Sequence, residues 1–136
     1  MVENGGCMGY RKLHVYNESY KLSLEIHRLT MKFPRHELYE IGSQLRRAAI
    51  SIPLNIAEGY GRRNHKLDYR KFIINAQGSS NEVVVLLQMI KDLGYIPEEE
   101  YLSLSNSYTR LGKQLNKFID ILQQEIRSLR PQRNTK

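Results

Sequence analysis

Arg62, Lys66 and Arg70 recur every four residues, with Arg63 and Lys71 beside them and Tyr60 and Tyr69 interleaved. Cations at helical spacing along one surface are suited to phosphate contact, because each neutralised phosphate releases condensed counterions. Tyrosines among such cations could stack on unpaired bases. Arg46 and Arg47 precede this cluster, and Arg127, Arg130, Arg133 and Lys136 carry positive charge to the C-terminus. All of these are candidate nucleic-acid-binding residues. Any one of them taken singly reads equally well as a solvated surface charge. Repetition in an oligomer changes that balance, since several weak patches together raise avidity steeply. No base-reading module is present, so binding is expected to follow shape and charge.

The charge distribution points the same way. Formal net charge is +7, with a sequence pI near 9.6. Residues 40–72 hold seven Lys/Arg against three Asp/Glu, residues 73–100 hold one against five, and residues 127–136 hold four and none. A basic patch on a small protein favours an anionic partner, with nucleic acid first. The plainer alternative is that the charge only aids solubility. Alternating basic and acidic surfaces also suit a ring in which neighbouring subunits meet through opposite charges.

Signals of catalysis are missing. His14, His27, His36 and His65 include no pair at helical ligand spacing, and Cys7 stands alone in a Gly-rich leader. No Glu-x-x-His metal motif, phosphate-cradling glycine loop or nucleophile motif occurs. The expectation is a non-enzyme without cofactor or metal. No run of eighteen apolar residues is present and the N-terminus lacks a signal pattern, so a cytoplasmic protein is expected.

Four amphipathic helices would have to position these residues. The first runs from about Leu13 to Lys32, with Val15, Ser19, Leu22, Ile26, Leu29 and Phe33 on one face. Tyr16, Tyr20 and Leu24 extend its apolar surface beyond what one core requires, which makes them a candidate oligomer interface. Pro34 ends the helix. The second runs from about Leu38 to Tyr60, with Ile41, Leu45, Ala49, Ile52 and Ile56 as its stripe and Gly59 and Gly61 as breakers. Pro53 lies in its middle, where an interior proline removes one hydrogen bond and costs about 3 kcal/mol. The stripe keeps phase through Pro53, so a continuous, kinked helix is favoured over a second helix opening there.

Asn64 is the expected cap of the third helix. Its core stripe is Phe72, Ala76, Ser79 or Ser80, Val83, Leu87 and Ile90. The small residues Ala76, Gly78, Ser79 and Ser80 would allow close approach to Ala48 and Ala49. The fourth helix opens near Pro97, with Glu98, Glu99 and Glu100 complementing its dipole. Tyr101, Leu104, Tyr108, Leu111, Leu115, Phe118 and Leu122 form a heptad seam of the kind used in bundles. Short connections between four helices predict an all-α, antiparallel up-down-up-down bundle over residues 10–129. A flexible leader (1–9) and a basic flexible tail (130–136) flank it. Antiparallel pairing of the second and third helices would also bring Arg47 to Glu82. The two are expected to form a partly buried ion pair, within or between subunits, that fixes register more than it stabilises.

Several segments together carry a family resemblance. They are Lys12-Leu13-His14-Val15-Tyr16, Thr30 with Phe33-Pro34, Gln44-Leu45-Arg46-Arg47-Ala48-Ala49, Ser51-Ile52-Pro53, Asn55-Ile56-Ala57-Glu58-Gly59, Gly61-Arg62, Ala76, Gly78-Ser79, Glu82 and Asp92-Leu93-Gly94-Tyr95. Over about residues 10–125 the chain resembles the four-helix-bundle proteins encoded in intervening sequences of bacterial 23S ribosomal RNA genes. Related bundles are accessory variability proteins of diversity-generating retroelements. The resemblance implies a non-enzymatic, basic bundle, usually a ring-shaped homopentamer. It implies two settings: action on or near ribosomal RNA, or holding a reverse transcriptase together with its template RNA. The reading is therefore a ring that binds structured RNA. The alternative is a protein-interaction scaffold that docks an acidic protein and no nucleic acid.

Overall fold

The computed structural model describes residues 9–129. A short 3-10 turn, Gly9–Lys12, leads into helix α1 (His14–Thr30). A one-turn helix α2 (Arg35–Leu38) follows Pro34, and then come three long helices, α3 (Ile41–Gly61), α4 (Lys66–Asp92) and α5 (Glu98–Leu129). No strand occurs among the described residues. The described residues form an all-helical structure with four long helices.

Packing runs in chain order, with α1 on α3, α3 on α4 and α4 on α5, while α1 touches α5 less extensively. Side-chain contacts give the register. Between α3 and α4, Gly59 faces Phe72, and the Ser51 and Ser79 hydroxyls lie 2.9 Å apart. Between α4 and α5, Lys66 meets Glu125, Tyr69 meets Phe118, Ser80 meets the Tyr108 carbonyl, and Lys91 meets Tyr101. Partner numbers fall on one helix as they rise on the other.

The core follows the helical periodicity. Val15, Ser19, Leu22, Ile26, Leu29 and Phe33 are all buried, as are Leu104, Tyr108, Leu111, Leu115, Leu122 and Ile126 of the α5 seam. Tyr101 and Phe118 are partly buried against the same core. A side chain such as Ile26 or Leu87, fully withdrawn from water, contributes roughly 1.5–3 kcal/mol.

Several local expectations are corrected. The second long helix begins at Ile41, because Tyr39 and Glu40 break the chain after α2. Glu40 has φ −99° and ψ −94°, outside the helical region. That helix is continuous through Pro53 to Gly61. Gly59 does not break it. A Cβ there would lie 2.9 Å from the Cβ of Phe72 and 3.1 Å from the Tyr69 ring, so Gly59 lets α4 approach closely. Gly78 has no such role, since a Cβ there would meet nothing within 4 Å. Ser80, not Ser79, is the buried serine, and it donates a long 3.3 Å hydrogen bond to the Tyr108 carbonyl. His65, not Asn64, holds the N-cap position of α4, without a side-chain cap bond. Residues 1–8 of the expected leader and the whole tail lie outside the described residues. Gly9 is buried.

Candidate nucleic-acid interface

The α3–α4 turn is built from tight backbone bonds. Arg62 N–H donates to the Gly59 carbonyl, Arg63 N–H to Tyr60, and His65 N–H to Arg62. The turn presents Arg62 and Arg63 at the end of the bundle where α4 begins and α5 finishes. The Arg62 guanidinium lies 5.3 Å from the Phe72 ring centroid and 3.7 Å from Glu58, in an exposed i,i+4 pair. Such a pair is worth well under about 1 kcal/mol and leaves the arginine able to exchange partners. Arg63 lies 4.3 Å over the Tyr60 ring and donates to the Tyr60 carbonyl at 3.1 Å.

Lys66 reaches Glu125 at 3.1 Å, which ties the start of α4 to the end of α5. Arg127 follows two residues later and is exposed. A groove of about 490 Å3 lies at this end, lined by His65, Lys66, Leu67, Asp68, Ile126 and Leu129. Lys71 is exposed one turn further along α4. Arg70 is half-buried, and its Nε is enclosed without a hydrogen-bond partner among the described residues, so its stem is laid against the bundle. Arg130 and Arg133 lie outside the described residues.

Arg46 and Arg47 do not join this cluster. They sit about fifteen residues back along α3, roughly 22 Å at the helical rise. Arg46 is committed to the fold. It donates to the Thr30 hydroxyl at 2.8 Å and to the Leu38 carbonyl at 3.0 Å, and so links α3 to the ends of α1 and α2. Its guanidinium is therefore engaged within the bundle. Arg47 is exposed, as is Glu82, and among the described residues no ion pair joins them within the chain. Of the two forms expected for that pair, the one within a subunit is absent among the described residues. At the neighbouring level, the contact across α3 and α4 is between Ser51 and Ser79.

The interleaved tyrosines are both engaged within the chain. Tyr69 is buried, edge-on to both Tyr60 and Phe118. Tyr60 is half-buried, with Arg63 over its face and Gly9 at its hydroxyl edge. Of the proposed oligomer residues, Tyr20 and Leu24 are exposed, while Tyr16 packs between Tyr10 at 4.7 Å and Tyr20 at 6.0 Å.

The far end of the bundle carries mixed charge, with Arg28, Lys32 and Arg35 beside Glu37, Glu40 and Asp92. Glu98, Glu99 and Glu100 open α5, Lys91 is held by Asp92 and Glu98, and the Tyr95 hydroxyl donates to Glu37 at 2.7 Å. That hydrogen bond to a carboxylate, with some burial, raises the Tyr95 pKa. Among the described residues no group of three or more His, Cys, Asp or Glu gathers as a metal site, and no helix is long and apolar enough to cross a membrane.

Sequence reasoning passed over Arg11 and Lys12. Both are exposed on the 3-10 turn whose Gly9 touches Tyr60, so they belong to the basic end. The signal was available in the helix order: a first helix paired with a reversed second one begins where the second ends.

The family model of the 23S rRNA-intervening sequence proteins matches residues 11–117. Among solved structures, one match is a protein of unknown function from the S23 ribosomal protein family of Bacteroides thetaiotaomicron VPI-5482. The two share 24% sequence identity with a TM-score of 0.71, over 78% of this chain and 95% of that one. At that identity the likeness is one of fold. No curated protein matches the chain.

Proposed function

The chain belongs to the 23S rRNA-intervening sequence protein family, and from that premise we propose that it is a non-catalytic, basic bundle that binds structured RNA. The observation that carries this reading is the gathering of Arg62, Arg63, Lys66 and Arg127 at one end of the bundle, where they outnumber Glu58, Asp68 and Glu125. Phosphate contact needs clustered cations and no particular base, and the half-exposed Arg62 can leave Glu58 for a phosphate at little cost.

The order of contacts along the helices supports an antiparallel up-down-up-down bundle, with α3 kinked at Pro53. The assembly is a ring, a homopentamer by resemblance. Exposed Tyr20 and Leu24 on α1 support a contact between copies, and exposed Arg47 and Glu82 are free to pair across it. Multiplying one modest basic patch around a ring raises affinity without any new contact. The biological setting is either the intervening-sequence protein at ribosomal RNA or a retroelement accessory protein joining reverse transcriptase and template RNA.

The test is binding of the purified protein, with its assembly mass determined, to a folded RNA hairpin over a salt series. A steep fall of affinity with salt is expected, together with a marked loss in Arg62→Glu/Arg63→Glu at unchanged mass. An assembled oligomer that fails to bind at low salt overturns the reading and turns attention to an acidic protein partner.

A further inference from the structure

We infer that the N-terminal turn Gly9–Lys12 is part of the RNA-contacting surface, with Arg11 and Lys12 as phosphate-binding residues; this inference rests on the RNA binding proposed above. Three contacts fix the turn. Gly9 is seated against the hydroxyl edge of Tyr60, where a Cβ would come within 2.6 Å of the Tyr60 oxygen. Tyr10 stands edge-on to Tyr16 at 4.7 Å. The Asn17 side chain donates to the Arg11 carbonyl at 2.8 Å and to the Leu13 carbonyl at 3.2 Å.

The consequence is electrostatic. Tyr60 carries Arg63 on its ring face and Gly9 on its edge, so the two cations following Gly9 share a platform with Arg62 and Arg63. Arg11 and Lys12 are exposed, and among the described residues no ion pair engages them. Cations on a backbone already fixed lose less freedom on binding than cations on a loose segment. Gly9 allows this close seat, because a side chain at that position would force either the turn or the Tyr60 ring to shift.

The test uses the full chain and the same hairpin. Arg11→Ala/Lys12→Ala should weaken binding and lower the slope of log affinity against log salt by about 2, near one unit for each lost phosphate contact. Gly9→Val should weaken binding by a similar factor, with little further loss when combined with Arg11→Ala/Lys12→Ala. Lys113→Ala, an exposed cation midway along α5, should leave the slope unchanged. If Arg62→Glu/Arg63→Glu abolishes binding while Arg11→Ala/Lys12→Ala matches the unaltered protein, the inference is wrong and the RNA reading stands. If the unaltered oligomer does not bind, both are wrong.

Discussion

The Arg46 guanidinium donates to the Thr30 hydroxyl at 2.8 Å, and that hydroxyl in turn donates to the His27 carbonyl at 2.9 Å. A side chain from α3 thereby closes the last turn of α1, while its second nitrogen takes the Leu38 carbonyl at the end of α2. Gly42 makes room for it, since a Cβ there would lie 3.2 Å from Nη1, the nitrogen that donates to Thr30. Arg46→Ala should therefore destabilise the protein by about 1.5–3 kcal/mol, the range for hydrogen bonds to a charged group. Chemical denaturation gives the value. Hairpin affinity should be unchanged under folding conditions, and a selective loss of affinity without a loss of stability would contradict the structural role.

Gly59 and Gly78 are both interior helical glycines, yet they should respond oppositely to alanine. At Gly59 the new methyl meets the Phe72 Cβ at 2.9 Å, and neither helix backbone can yield cheaply. Overpacking of this kind costs about 1–3 kcal/mol. At Gly78 the methyl enters open space, and alanine should gain about 0.5–1 kcal/mol through helix propensity. Thermal unfolding of the two variants side by side checks the contrast. Equal effects would contradict the register of α3 on α4.

These two cases mark how far the sequence carries. The α5 seam and the α1 stripe were legible because burial of an apolar face imposes a period on the sequence. The roles of Arg46, Gly59 and Ser80 were not legible by that means. An arginine stem is long enough to turn inward or outward from one position, and only the neighbouring helix end decides. A glycine near a helix terminus looks like a stop signal, whether it ends the helix or admits a neighbour's ring. Ser79 and Ser80 lie one residue apart, and a small rotation of α4 decides which of them enters the core. The basic end was legible from Arg62, Arg63 and Lys66. Its extension to Arg11 and Lys12 required knowing that Gly9 meets Tyr60.

Tyr108 and Tyr69 make stability fall at alkaline pH. Burial pushes the Tyr69 phenol up to about 12 and raises Tyr108 further, against an ordinary value of 10.0. Both rings hold their protons more tightly folded than unfolded. The stability tied to the neutral phenols is complete below pH 10 and is lost as the pH climbs towards 12, where folded Tyr69 ionises. The midpoint of urea unfolding should drop over that window, and less so in Tyr69→Phe. Tyr108→Phe should have a second effect. Among the described residues its buried hydroxyl has no hydrogen-bond partner, so removing the oxygen should stabilise the protein at neutral pH by about 1–3 kcal/mol. A destabilised Tyr108→Phe would show that the hydroxyl has a partner after all.

The state of Tyr60 and Tyr69 also determines what kind of RNA the basic end should prefer. Sequence-tolerant binding of single strands relies on aromatic faces that accept bases, worth about 1–3 kcal/mol for each stacked base. At this end Tyr69 is buried and the Tyr60 ring already carries Arg63. What remains is a cluster of cations without a stacking platform, and such a surface discriminates by phosphate density. A folded hairpin places two backbones within reach of one patch, whereas an unstructured strand of the same length presents one. The hairpin should therefore bind more tightly, and the difference should shrink as salt is raised, because the advantage is electrostatic. Tyr60→Leu, which keeps bulk against Gly9 but removes the aromatic face, should leave the hairpin preference in place. Competition between the two RNAs at several salt concentrations measures this directly. Tighter binding of the unstructured strand, lost in Tyr60→Leu, would mean that Arg63 swings off the ring and that bases stack there after all.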